Sequence, residues 1–170
     1  MKGLPYSLRR TKAQTPGLKK LRIKLLNTAI AVADGAPGFG TVVVGDFPQG
    51  NIVHFGTVAN LQFSSSDADL TTTFEGDVAF GTAADADGTL AGAEVDLLAS
   101  TSMGAAATAK VSPLTRMASA AALAGTIYDN TDGSLEINMN VLIDDGSISG
   151  AVALVANGWI EILYAVMGDD

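Results

Sequence analysis

Between residues 135 and 166 apolar positions recur with the period of an extended chain. In 135–143, Leu135, Ile137, Met139, Val141 and Ile143 alternate with Glu136, Asn138 and Asn140. This pattern predicts a strand with one apolar and one wet face. Two more apolar runs follow, 150–156 and 159–166, set off by Asp144-Asp145-Gly146 and by Asn157-Gly158. These are short polar and glycine residues that tolerate the positive φ of tight hairpins, so the three runs predict a β-meander. The last run is nearly continuously apolar and holds the only tryptophan. A strand covered on both faces, by its own core or by another subunit, is expected there. Trp159, Ile160, Ile162 and Tyr164 are the residues expected to form an oligomer core.

Strand-like runs precede it at 21–33, 41–44, 51–63, 70–80, 93–98, 105–111 and 123–128, divided by turn clusters such as 47–50, 64–67, 85–88 and 129–133. The alanines of 114–124 favour one short helix. About nine or ten short strands without alternating helical patterns predict an all-β fold, a jelly-roll-like β-sandwich or barrel. The glycine-rich stretch at 35–40 lacks the Lys-Ser/Thr of a phosphate loop and precedes a strand rather than a helix, so it is a turn.

Composition agrees, with 19 glycines, low charge and high aliphatic content. A chain of 170 residues suits one domain able to bury a core without staples. Without cysteine, disulfides and thiolate metal ligation are impossible. The net charge of −8 conceals a sharp partition. Eight of the ten Lys and Arg residues lie in 1–24, with no acid among them; from residue 25 onward Lys110 and Arg116 face all 18 acids, a net −16. The expected organisation is therefore an extended basic N-terminal arm, 1–24, on a single acidic β domain, 25–170. Pro5, Pro16, Gly3 and Gly17 forbid a continuous helix in the arm. A secretory signal is weighed at 25–33, which ends in Ala31-Val32-Ala33, but Asn27 and Thr28 interrupt the apolar run and the basic segment before it is long. No run approaches the length of a membrane span.

Candidate chemistry is sparse. His54 is the only histidine, which excludes an imidazole pair. Placed between Val53 and Phe55, it is expected on a polar strand face rather than as a general base beside Asp46. Gly146-Ser-Ile-Ser-Gly150 puts isoleucine where a nucleophile elbow needs serine. Asp85 and Asp87, with Glu94 downstream, superficially resemble a calcium loop, but the third acidic position and central glycine of the helix-loop-helix motif are out of register here. The pairs Glu75/Asp77 and Glu94/Asp96 share a strand face, as acid/base pairs and solvated faces both do. No catalytic residue, no cofactor and no metal are expected. Recognition is expected from the arm: Arg9, Arg10, Lys12, Lys19, Lys20, Arg22 and Lys24 supply charge, and Leu4, Tyr6, Leu8 and Leu18 the apolar anchors. Only Tyr6 interleaves with these cations, and the body is acidic, so nucleic acid is disfavoured as a partner.

An extended N-terminal segment leading into a Gly/Ala/Thr-rich β domain, with the ending Val-Ala-Asn-Gly-Trp-Ile-Glu-Ile-Leu-Tyr at 155–164 and Met-Gly-Asp at 167–169, resembles the capsid decoration, or cement, proteins of tailed bacteriophages. The resemblance is diffuse and has no short diagnostic motif. It implies a jelly-roll-like domain, commonly a homotrimer, on the outer face of the virion capsid, where an arm bridges copies of the major capsid protein. It carries over no catalytic residues. The alternatives are a phage tail, tube or fibre component, or a carbohydrate-binding β-sandwich. The last needs exposed aromatics, and Trp159, Tyr128 and Tyr164 are all expected within strands.

Overall fold

A computed structural model describes residues 17–167. Nine strands form two antiparallel sheets: β1 Lys19–Val32, β2 Gly38–Asp46, β3 Gly50–Ser64, β4 Gly76–Gly81, β5 Leu98–Ser102, β6 Thr115–Ala118, β7 Ile127–Asn130, β8 Glu136–Ile143 and β9 Val152–Met167. One sheet has the order β1-β9-β3-β6, with β7 pairing on β3, and the other β2-β8-β4-β5. With β7 set aside and the remaining strands counted in chain order, the sheets read 1-8-3-6 and 2-7-4-5. Every chain connection but one crosses between sheets, which is the double Greek key of a jelly roll. Apart from 3-10 turns at Gly92–Glu94 and Ala121–Leu123, no helix occurs among the described residues.

The meander expected at the C-terminus does not form. β8 pairs with β2 and β4, whereas β9 pairs with β1 and β3 in the opposite sheet. Asn157-Gly158 is not a hairpin, because β9 runs straight through it, in unbroken register with β3 from Leu61↔Gly158 to Phe63↔Ala156. The positive φ that the dipeptide signals is used for a bulge. Leu26 and Asn27 of β1 oppose the single Asn157, Asn27 has φ 52°, and its N–H donates to Asn157 Oδ1 at 2.9 Å. A Cβ at Gly158 would lie 2.0 Å from the Asn60 carbonyl, so the close approach of β3 requires glycine there.

A second bulge decides the inward face of β3. Register shifts between His54 and Gly56, leaving Phe55 exposed. The buried positions switch from even, Ile52 and His54, to odd, Thr57, Ala59, Leu61 and Phe63. His54 is thus in the core, not on the polar face that simple alternation predicts. β8 also differs from expectation. It is central in its sheet, and both its faces are covered, with Asn138 and Asn140 buried alongside Ile137, Met139, Val141 and Ile143. The cover on its outer side is the 82–97 connection. Where a helix is expected at 114–124, β6 forms instead, since pairing of 115–118 with 58–61 of β3 buries Met117. Residues 70–75 and 105–111 contribute isolated bridges rather than strands.

A basic sheet face as candidate interface

β1 is an edge strand of the first sheet, and its alternation sorts its residues cleanly. Leu21, Ile23 and Leu25 turn toward the core, while Lys20, Arg22 and Lys24 are exposed on the outer face. Lys19, Lys20, Arg22 and Lys24, expected in the arm, are therefore strand residues, and the sheet begins at Lys19. Leu18 precedes it and is 63% exposed. Leu4, Tyr6, Leu8, Arg9, Arg10 and Lys12 lie outside the described residues.

Pairing extends this basic row across the sheet. Lys24 is in register with Trp159, Trp159 with Asn60 and Asn60 with Arg116. Strands spaced about 4.8 Å apart place Lys24 and Arg116 about 14 Å from one another on one face. The neighbouring row is Arg22, Glu161, Val58 and Ala118. The Arg22 guanidinium lies 4.7 Å from the centroid of the Trp159 ring, a contact worth about 0.5–1 kcal/mol at an exposed site. Lys20 Nζ meets Glu161 Oε2 at 3.2 Å, a surface pair contributing at most about 1 kcal/mol. Cations on a long edge strand also discourage edge-to-edge aggregation. Phe55 and Leu163 add exposed apolar area to the sheet.

The four residues expected to form an oligomer core divide between two environments. Ile160 and Ile162 are fully buried, and Tyr164 nearly so, within the chain's own sandwich; the Tyr164 ring packs edge-on to Phe47 at 5.9 Å. Trp159 is only half-buried, because β9 alternates and odd positions face outward. Sequence reasoning missed Glu161 and Arg116. A signal for Arg116 existed, as it is one of two basic residues after position 24.

Both ring nitrogens of His54 are engaged within the fold. Its Nδ1 lies 3.0 Å from the Leu123 carbonyl and its Nε2 lies 2.8 Å from Thr57 Oγ1. A carbonyl only accepts, so Nδ1 carries the proton and Nε2 accepts from the threonine. Burial holds the imidazole pKa below its ordinary value, and the same desolvation raises that of Asp96. Tyr128 donates to the Asp96 carbonyl at 2.9 Å, and burial pushes its hydroxyl pKa upward. A shallow groove of about 350 Å³ beside Phe39, Thr41 and Asp85 is otherwise apolar. Its one hydroxyl is engaged, since Thr41 donates to Asn140 Oδ1 at 2.7 Å. Asp85, Asp87 and Glu94 are brought together on the 82–97 connection.

These features define a jelly-roll β-sandwich with a packed interior and a basic outer sheet face. No protein-family model matches the chain, and no curated protein does. A solved structure of infectious bursal disease virus, Gx strain, is similar over 89% of this chain at 11% identity and a TM-score of 0.41. This chain spans only 33% of the length of that one.

Proposed function

We propose that this protein is a non-enzymatic virion structural protein that binds the outer surface of a capsid and reinforces its lattice. The observation that carries the reading is the row of exposed cations on the outer face of β1, the last part of a sequence run of eight Lys and Arg residues in 1–24, on a body that is otherwise strongly acidic. Lys20, Arg22, Lys24 and Arg116 surround Trp159 and Glu161 on that face, a composition suited to an acidic protein surface. Jelly rolls serve in capsids, lectins and cupins alike, so the fold alone does not choose among them. Cupin chemistry needs inward-facing ligands, and the one inward imidazole here has both nitrogens engaged within the fold. A lectin-like role would use Trp159 as a stacking platform, but the Arg22 guanidinium already lies over that ring.

The partner is the major capsid protein, and the assembly is a homo-oligomer, a trimer on the family resemblance. Multivalency lets weak contacts sum, because each later contact of a symmetric oligomer is intramolecular. The test is the triple substitution Lys20→Glu, Arg22→Glu and Lys24→Glu, assayed by co-sedimentation with capsids of the parent virus. The three side chains are exposed, so circular dichroism should stay that of the wild type and melting temperature should fall by only about 5–10 °C, from loss of the Arg22–Trp159 and Lys20–Glu161 contacts, while capsid binding falls at least about tenfold. Saturation of capsids by the folded triple variant, at wild-type concentration, overturns the reading. Selective glycan-array binding with no capsid binding would favour the lectin class instead.

A further inference from the structure

The 82–97 connection between β4 and β5 gathers three carboxylates on the outer side of the second sheet. Asp85, Asp87 and Glu94 each offer an oxygen, all within 4.8 Å of one another. Acid clusters are common on an acidic protein and need no ion. Asp85, however, is only 5% exposed, and its Oδ2 is the one buried side-chain polar atom among the described residues with no hydrogen-bond partner. A buried carboxylate oxygen without a donor is unfavourable unless a proton or a cation meets it. The ion pair found among the described residues, Lys20 with Glu161, belongs to the other sheet.

Each of the three carboxylates is oriented by the loop through one oxygen and keeps the other. Asp85 Oδ1 accepts from the N–H groups of Asp87 at 3.1 Å and Gly88 at 3.0 Å. Asp87 Oδ1 accepts from the Thr89 N–H at 2.9 Å, and Glu94 Oε2 from the Ala91 N–H at 2.9 Å. Asn140 of β8 clamps both ends. Its amide donates to the Ala83 and Glu94 carbonyls at 2.9 Å each, and its Oδ1 accepts from the Asp85 N–H at 3.0 Å.

Counted from Asp85, this segment is out of register with a calcium loop, as the sequence reading has it. Counted back from Glu94 as the twelfth position, Ala83 is first, Asp85 third, Asp87 fifth, Gly88 sixth and Thr89 seventh. Those are the places where such a loop uses two side-chain carboxylates, a sharp glycine turn, a backbone carbonyl and a final acidic residue. Gly88 has φ +76°, as the sharp turn requires. The first and ninth positions, Ala83 and Ala91, lack a side-chain donor, and strand β4 and a 3-10 turn stand where flanking helices would be. Two oxygens on opposite sides of a calcium ion lie about 4.8 Å apart at Ca–O distances of about 2.4 Å, so the cluster fits one ion. Magnesium demands near-ideal octahedral geometry and keeps several waters, so a loop of carboxylates and carbonyls suits calcium better.

The geometry points to a calcium site built from the carboxylates of Asp85, Asp87 and Glu94, completed by water and by the Thr89 carbonyl that the register puts in seventh position, which fastens the 82–97 connection over β8. This inference is independent of the capsid reading. Calcium chloride titrated into the chelator-treated full chain is expected to give one saturable site with Kd on the order of 10⁻⁴ to 10⁻³ M, weak because the first and ninth positions supply no side-chain ligand. Melting temperature should rise with calcium and much less with equal magnesium. Asp85→Asn preserves an acceptor for the two loop amides while removing the anionic oxygen. It should fold with an unchanged or higher calcium-free melting temperature and lose the calcium response. Glu94→Gln should weaken binding at least about tenfold, whereas Asp129→Asn with Asp132→Asn, in an exposed turn, should leave it unchanged. The proposal is overturned if wild-type protein shows no saturable heat and no thermal shift up to about 10 mM calcium, a concentration above the expected Kd. Wild-type affinity in Asp85→Asn overturns it equally.

Discussion

Asn140 shows how one buried polar side chain can organise a molecule of this kind. Its amide makes four hydrogen bonds, to Thr41, Ala83, Asp85 and Glu94, joining β2, β8 and the 82–97 connection. Asn140→Ala strands all four partners and should destabilise the protein by about 2–4 kcal/mol in denaturant titration. His54 gives a prediction in pH. Burial lowers its folded-state pKa, so below the unfolded value of about 6.5 the unfolded chain binds the proton more readily and stability falls as pH drops. The raised pKa of Asp96 acts oppositely, in a window just above the ordinary aspartate value. Wild type should therefore melt lower at pH 5.5 than at pH 7.5, and His54→Gln, less stable at pH 7.5, should show a flatter profile between them. A steeper profile in the variant would assign the acid sensitivity elsewhere. Trp159 has a milder role than its rarity suggests. Half-buried under Arg22, it should cost about 1–2 kcal/mol when replaced by alanine, against about 2–5 for Ile160→Ala in the core.

β9 is the spine of the first sheet, paired along its length on both sides, by β1 and β3. Its 16 residues contain the Asn-Gly that alternation and turn chemistry alone make into a hairpin. Gly158, at φ +137° and pressed on the Asn60 carbonyl, should not tolerate a side chain. Gly158→Ala is expected to destabilise by at least about 2 kcal/mol, read by chemical denaturation, with loss of hydrogen-exchange protection centred on the middle of β1, β9 and β3. Protection lost only at the chain ends would contradict this placement. β1 has two functions in one strand: Leu21, Ile23 and Leu25 pack inward while the lysines and arginine between them face out.

For the molecule as a whole, the charge partition bears directly on how the proposed recognition should be dissected. Removing 1–24 would also remove six residues of β1, including the packed Leu21 and Ile23, so it mixes binding with folding. Removing 1–16 takes away none of the described strands. That shorter deletion should keep the wild-type melting temperature within a few degrees while weakening capsid association. The triple substitution on β1 isolates the contribution of the sheet face. Equal binding by the 1–16 deletion and wild type would assign the recognition to the β1 face alone.

The all-β class and several strand positions, β3 and β8 most closely, were legible in the chain because alternation at period two and Gly/Asn/Asp turns are local properties. So was the split between basic start and acidic body. Which strands share a sheet was not legible, since an Asn-Gly pair serves a bulge as readily as a hairpin, and a jelly roll pairs strands far apart in sequence. The facing of His54 and Trp159 was lost for a related reason: one inserted residue at Phe55 reverses the parity of β3, and strict alternation turns the tryptophan of an apolar run outward. The register of the acidic loop depended on its last member, Glu94. Its relation to Asp85 and Asp87 became plain only where the backbone closed over Asn140 and left one buried oxygen without a donor.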